Sequence, residues 1–194
     1  MKTIMKFTAI ISFLLVTSTT IAKDPEFSVE ANGESKSLVL TLDTQWSTTK
    51  LRILDKENNV IYNETVSKSL YAKKFDLSKL QKGNYSLEVD NSLRTIYYTI
   101  EVGSEDLEII KRKERSKPVF RKTENKVFLN LLNLDAEDVE VKVIDSQNRV
   151  VYTEVVEGES IVEKAFNFEK AHDDRYTVLV KDDMLTYSES ILVK

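Results

Sequence analysis

The most unusual local composition in this sequence of 194 residues is a basic run at positions 111–117. Five of its side chains are cationic: Lys111, Arg112, Lys113, Arg115 and Lys117. A run of this kind is able to bind an anionic cell-surface polysaccharide, a lipopolysaccharide or an anionic membrane surface. It is also suited to an exposed edge strand, where basic side chains prevent two sheets from pairing edge to edge, and this second interpretation is favoured. Both interpretations stay open at this point.

Trp46 is the second candidate binding residue and the only tryptophan of the chain. It lies in a predicted loop, Asp43–Thr49, between the second and third strands. If the indole ring is exposed, it can stack against a sugar or a protein partner. If it is buried, it closes one end of a hydrophobic core. With the basic run, Trp46 predicts binding to a protein or a cell-surface polysaccharide.

Catalytic chemistry has few candidate groups here. The chain has one histidine, His172, and no cysteine, which argues against a hydrolase triad, a thiolate nucleophile or a histidine metal centre. The acidic pairs Asp173–Asp174 and Asp182–Asp183 offer oxygen ligands for calcium. They lie at opposite ends of one predicted strand, roughly 17–20 Å apart. We therefore predict no catalytic residues, no metal site and no cofactor, with a carbohydrate- or calcium-binding module as an alternative.

An internal repeat shows which elements must position these residues. The stretch Leu51–Val66 returns as Val141–Val156, and Phe75–Val89 returns as Phe166–Val180. Six positions of the first block are identical in the two copies: Asp55/Asp145, Asn58/Asn148, Val60/Val150, Tyr62/Tyr152, Glu64/Glu154 and Val66/Val156. The chain therefore contains two tandem copies of one module.

Each copy has the pattern of an all-β domain. Apolar and polar residues alternate in short runs separated by turns, which predicts seven strands in the first copy. Tyr85 and Tyr176 stand where a tyrosine corner is expected. We predict two tandem immunoglobulin/fibronectin III-like antiparallel β-sandwiches, at residues 23–103 and 104–194, after a signal peptide at 1–22.

The N-terminal segment predicts export. Lys2 and Lys6 precede an apolar run at 7–16, and small residues follow up to Ala22. The apolar run is too short to cross a membrane, and with no cysteine at the cleavage point we expect no lipid anchor. The mature chain carries 26 basic and 32 acidic residues, a net charge of −6, so no nucleic-acid partner is predicted.

The repeated motif resembles the C-terminal sorting domains of cargo for the type IX secretion system of Bacteroidetes. The residues that carry the resemblance are Asp55, Asn58, Val60, Tyr62, Phe75–Ser78, Leu80, Gly83, Tyr85, Leu87 and Val89. The resemblance implies secretion from a Gram-negative cell and a non-enzymatic sandwich. The two copies account for most of the chain, and we therefore expect no large cargo domain beside them.

These observations lead to one hypothesis and two alternatives. The leading hypothesis is an exported, non-catalytic protein of two sandwiches, which serves as a structural or protein-interaction module in the periplasm or at the cell surface. In the first alternative the C-terminal copy is a secretion or surface-sorting domain of the type IX kind. In the second the chain binds carbohydrate or calcium.

Overall fold

The structure is a computed structural model that describes residues 27–32, 34–43, 48–183 and 185–194. The regular secondary structure of these ranges consists of fifteen β-strands. They are β1 (Phe27–Asn32), β2 (Ser37–Asp43), β3 (Thr49–Leu54), β4 (Val60–Val66), β5 (Leu70–Asp76), β6 (Gly83–Asp90), β7 (Arg94–Val102), β8 (Leu107–Ser116), β9 (Val119–Lys122), β10 (Lys126–Leu132), β11 (Val139–Ile144), β12 (Val150–Val156), β13 (Ile161–Asn167), β14 (Asp174–Lys181) and β15 (Thr186–Val193).

Each half of the chain forms two antiparallel sheets. In the first half, β1-β2-β5 forms one sheet and β4-β3-β6-β7-β8 forms the other. In the second half the orders are β9-β10-β13 and β12-β11-β14-β15. Strands β9–β15 therefore repeat the order of β1–β7, and the all-β fold with two tandem sandwiches is confirmed. The sequence repeat is a repeat of structure.

The cores follow from the alternation of side chains along the strands. The first core is built mainly from leucine and isoleucine, with Leu38, Leu40, Leu42, Leu51, Ile53, Leu87, Ile96 and Ile100 almost completely buried. The second core relies on valine, with Val127, Val139, Val141, Val143, Val178 and Val180 almost completely buried. Valine offers less apolar area than leucine, so the second half gains less from burial per residue.

The repeated Asp-x-x-Asn segment is the turn of a β-hairpin in both halves. Asn58 and Asn148 adopt left-handed conformations, with φ of 64° and 61°. The Asp145 carboxylate accepts hydrogen bonds from the backbone N–H groups of Gln147 and Arg149, both at 2.9 Å. A type I turn followed by a left-handed residue is a common three-residue hairpin connection. The repeat therefore preserves a turn that sets the start of β4 and β12.

Both predicted tyrosine corners form. The Tyr85 hydroxyl donates a hydrogen bond to the carbonyl of Gln81 at 3.0 Å. The Tyr176 hydroxyl donates to the carbonyl of His172 at 3.2 Å. These bonds connect each strand to the turn that precedes it, as in other sandwiches of this class.

Strand β8 lies beyond the boundary predicted at residue 103. It pairs with β7 from Leu107 opposite Val102 to Ser116 opposite Arg94. The five-stranded sheet of the first half therefore extends to Ser116. An exposed edge strand was one of the two interpretations of the basic run, and β8 is an edge strand. The division of the chain into folding units at residue 103 stays a prediction.

The predicted signal peptide at 1–22 lies outside the described residues. Within the described ranges, no helix is long and apolar enough to span a bilayer.

Candidate interaction surface

The five cations proposed as a binding patch lie along β8 and just after it, and four of them have ionic partners within the chain. Arg112 pairs with Glu114 at 2.6 Å and Lys117 pairs with Asp90 at 2.7 Å. Lys113 pairs with Asp135 at 2.8 Å, and Arg115 with Asp182 at 2.9 Å. Lys111 is exposed. Because most of this charge is neutralised by neighbouring carboxylates, the run presents less positive potential than its composition indicates. Its role in binding a polyanion stays a prediction.

Two of these cations connect the halves of the molecule. Arg115 lies on the first sandwich and is only 9% exposed, and it also donates a hydrogen bond to the Asp183 carboxylate at 2.8 Å. The Arg115 guanidinium lowers the pKa of Asp183. Lys113 reaches Asp135 in the loop between β10 and β11. The strand that ends the first sandwich therefore holds two acidic loops of the second.

The remaining candidates from the sequence do not converge on a site. Trp46 lies outside the described residues. His172 is exposed in the turn before β14. One acidic pair, Asp182–Asp183, is engaged by Arg115. In the described ranges no group of three histidine, aspartate or glutamate side chains is placed to hold a metal ion.

A polar cluster on Glu64 was not anticipated from the sequence. The Glu64 carboxylate accepts hydrogen bonds from the Tyr62 hydroxyl, from the Tyr71 hydroxyl at 2.7 Å and from the Lys73 ammonium at 2.7 Å. Hydrogen bonds from Lys73, Tyr62 and Tyr71 lower the pKa of Glu64 from 4.5 to about 2. Because Glu64 is on β4 and Lys73 on β5, the cluster connects the edge strands of the two sheets.

The second half contains the same cluster with one member fewer. Glu154 accepts from the Tyr152 hydroxyl and from the Lys164 ammonium at 2.6 Å. The position of Tyr71 is taken by Val162, which is buried in the second core. The repeated Tyr-x-Glu pattern is the feature of the sequence that could have predicted both clusters, since residues two apart on a strand share a face. Each cluster lies between the edge strands of the two sheets of its half, which fits a structural role in holding those sheets together.

The Glu64 cluster predicts a pH-dependent stability. The folded pKa of Glu64 lies below its unfolded value, so the stabilisation is present above about pH 4.5 and is lost as the pH falls toward 2. Since Glu64 is 33% exposed, we expect Glu64→Gln to lower the free energy of unfolding by about 1 kcal/mol at neutral pH. Urea unfolding at pH 7 and at pH 2.5 measures this. Glu154→Gln is the matched control with a smaller expected effect, and equal losses for Glu64→Gln at both pH values would contradict the assignment.

The surface best suited to binding is the edge strand β12. It pairs with β11 on one side, and the described part of the chain supplies no strand on the other side. Its exposed apolar side chains are Val150 at 54%, Val151 at 54%, Tyr152 at 39% and Val155 at 51%. Its only charge is Glu154. Edge strands are usually protected by charges, so an apolar edge of this length is a template for strand pairing.

The equivalent edge strand β4 is less apolar. It exposes Val60 at 52% and Ile61 at 46%, and Asn63 and Thr65 stand where β12 has Thr153 and Val155. The edges of β5, β8 and β9 carry two or more lysine or arginine residues each. Sequence reasoning selected the most charged strand as a candidate site, whereas β12 is the edge strand with the most exposed apolar side chains in the described ranges.

An acidic concavity adjoins the end of β12. Its lining includes Val155, Glu137, Asp138 and Glu140. Glu140 stands opposite Val155 on the neighbouring strand β11 and pairs with Lys142 at 2.7 Å. The C-terminal end of β12 therefore combines an apolar side chain with negative charge.

The strand order and the two tyrosine corners define a protein of tandem immunoglobulin/fibronectin III-like β-sandwiches. Residues 16–102 match a family model described as "Domain of unknown function (DUF3244)". A comparison with curated proteins finds no significant match.

Several solved structures are similar to this chain at low sequence identity. The BSP domain of a biofilm-associated protein is 13% identical, with a TM-score of 0.28, over 87% of this chain and 29% of that one. A two-domain fibronectin type III segment of chicken tenascin is 9% identical, with a TM-score of 0.31, over 87% and 98%. The ligand-binding domain of human OSCAR is 8% identical, with a TM-score of 0.25, over 87% and 97%. The chain thus spans less than a third of the biofilm-associated structure. At these values the fold assignment rests on the strand order itself.

Proposed function

We propose that this protein is an exported, non-catalytic module that binds other polypeptides through the free edges of its sheets, in the periplasm or at the cell surface. The observation that carries the proposal is the free edge strand β12 with its four exposed apolar side chains. An extended segment added to such an edge gains backbone hydrogen bonds along its length, and the alternate side chains supply specificity.

The arrangement of the two halves supports this function. Arg115 and Lys113 hold acidic loops of the second sandwich against the first. A held junction keeps β12 in a constant position relative to the rest of the molecule, which lowers the entropic cost of binding. A polypeptide is favoured over a polysaccharide as the partner, because β12 offers unpaired backbone groups whereas the basic run is largely paired.

Photo-cross-linking in cells that naturally produce the protein tests the proposal. A photoreactive amino acid in place of Val155 is expected to give covalent adducts with a polypeptide, because Val155 lies on the free edge. The control is the same amino acid in place of Lys170, which is exposed in the turn between β13 and β14. Adducts of equal yield at both positions, or none at Val155, would overturn the proposal.

Export and the sorting alternative are tested by one mass measurement. For a resident exported module we expect an intact mass that corresponds to Lys23–Lys194 in the cell-associated fraction. In the type IX alternative, the second half is removed during secretion, and the culture medium contains a species that ends near Gly103. Such a species would replace our proposal with the sorting function.

A further inference from the structure

The free edge of β12 has a sequence that is nearly the same in both directions. It reads Val-Val-Tyr-Thr-Glu-Val-Val from Val150 to Val156, with Thr153 at the centre. We propose that two copies of the chain pair through β12, antiparallel, with Thr153 opposite Thr153 of the second copy. This inference rests on the proposed function and names the occupant of the same edge.

The self-pairing is complementary along the whole strand. Val150 stands opposite Val156 of the second copy, and Val151 stands opposite Val155. Tyr152 stands opposite Glu154. The central Thr153–Thr153 pair is a favourable cross-strand neighbour, and the β-branched valines suit a half-buried pleated surface. A two-fold axis through Thr153 makes every such pair occur twice.

Charges beyond the strand ends agree with the same alignment. It places Arg149 opposite Glu157 of the second copy, and both residues are exposed. The acidic concavity beside Val155 lies at that same end, so the Arg149 guanidinium approaches negative charge. In β4, the corresponding positions are Asn59 and Ser67, which carry no charge. The self-pairing is therefore assigned to β12 and not to β4.

Alternative alignments are less favourable. A slip of one residue would place core-facing side chains of one copy opposite solvent-facing side chains of the other. A slip of two residues in one direction would bring Glu154 opposite Glu154, and like charges directly opposite are destabilising. In the other direction it would bring Tyr152 opposite Tyr152, and Val156 would lose its valine partner. Of these alignments, only the one centred on Thr153 keeps matching faces opposite each other, avoids pairs of like charge and gives each valine a valine partner.

The edge is also held in an extended form before any partner arrives. The Asp145 carboxylate fixes the turn that starts β12, and it accepts a further hydrogen bond from Nε of Arg149 at 2.6 Å. Glu154 is held by Lys164 of the opposing sheet. Pairing would join the two four-stranded sheets into one of eight strands. Because the contact is limited to one strand per copy, we expect a concentration-dependent dimer.

The absence of cysteine permits a direct test by disulfide trapping. Thr153→Cys is expected to give a disulfide-linked dimer as the main product of mild oxidation, since directly opposite cross-strand positions lie within the reach of a disulfide. Asn63→Cys, at the same position of β4, is the matched control and should stay monomeric. A mixture of the Val151→Cys and Val155→Cys variants should form a disulfide-linked dimer with one chain of each kind, whereas neither variant should cross-link by itself. Equal cross-linking of Thr153→Cys and Asn63→Cys would overturn the proposal.

Sedimentation velocity of the chain without cysteine gives a second measurement. Thr153→Lys places two ammonium groups opposite each other and should weaken self-association about tenfold, whereas Thr153→Val should retain it. Identical sedimentation of the lysine and valine variants would overturn the self-pairing. If photo-cross-linking at Val155 then captures a different polypeptide, only the self-pairing fails. If it captures none, the proposed function fails as well.

Discussion

A fragment that ends at Gly103 should be about 3–5 kcal/mol less stable than one that ends at Lys117. The difference is strand β8, which hydrogen-bonds along the whole of β7. Leu107 contributes to the first core and is only 2% exposed, and burial of one leucine stabilises a fold by about 1.5–3 kcal/mol. Loss of β8 also removes the backbone hydrogen bonds of one sheet edge. Since a domain is typically stable by about 5–15 kcal/mol, the loss is a large part of the total.

Urea unfolding of the two fragments, each starting at Lys23, measures this difference. The shorter fragment should also aggregate, because β7 becomes an edge strand whose central residues, Thr95–Ile100, carry no charge. Within the longer fragment, Leu107→Ala should reproduce part of the loss, and Glu108→Ala, at an exposed neighbouring position, should have little effect. Equal unfolding midpoints for the two fragments would show that the first sandwich is complete at residue 103.

Replacement of Arg115 by alanine should cost about 2 kcal/mol and release the junction between the halves. The Arg115 side chain is 9% exposed and Asp182 is 15% exposed, so removal of the cation leaves a carboxylate in a largely dry position. Breaking a fully buried pair typically costs about 3–5 kcal/mol. The expected value is lower here because Asp183 is 49% exposed and remains hydrated.

Hydrogen exchange and urea unfolding separate the local effect of Arg115→Ala from a global one. The amide of Leu185, which donates to the Asp182 side chain at 2.7 Å, should exchange faster in this variant. Arg115→Lys should recover part of the stability, since lysine keeps the charge but not the forked geometry. Lys111→Ala, on the same strand but exposed, is the control. An equal effect of the two alanine substitutions would exclude a special role for Arg115.

The architecture was largely predictable because it depends on local patterns. Alternation along Leu38, Leu40 and Leu42 places three side chains on one face of a strand, whatever the strand pairs with. The hairpin turns at Asn58 and Asn148 are equally local, since a left-handed asparagine after a type I turn needs no distant partner. The repeat then implied that the second half would copy the first. These features followed from residues close to each other in the chain.

The interpretation of the basic run depended on distant residues. From sequence, Lys113 and Arg115 were candidates for a polyanion site or for edge protection. The structure shows β8 as an edge strand whose Arg115 meets Asp182 and Asp183, more than sixty positions away. A charge pattern does not specify its counter-ion, because ionic attraction has no sequence signature beyond a few residues. The partners appear only when the chain is folded.

For the edge strand β12, too, the sequence determined one property and the tertiary structure another. Its sequence, with valines around Tyr152 and Glu154, determined that it forms a strand. Whether that strand lies at the centre of a sheet or at its edge was decided by the tertiary structure, since any strand pattern can be paired on one side or on both. The sequence by itself determined two β-sandwiches and their turns, because side-chain alternation and turn chemistry act locally. Only the tertiary structure decided which edges are free and which charges are neutralised, because both depend on strand order and on contacts between residues far apart in the chain.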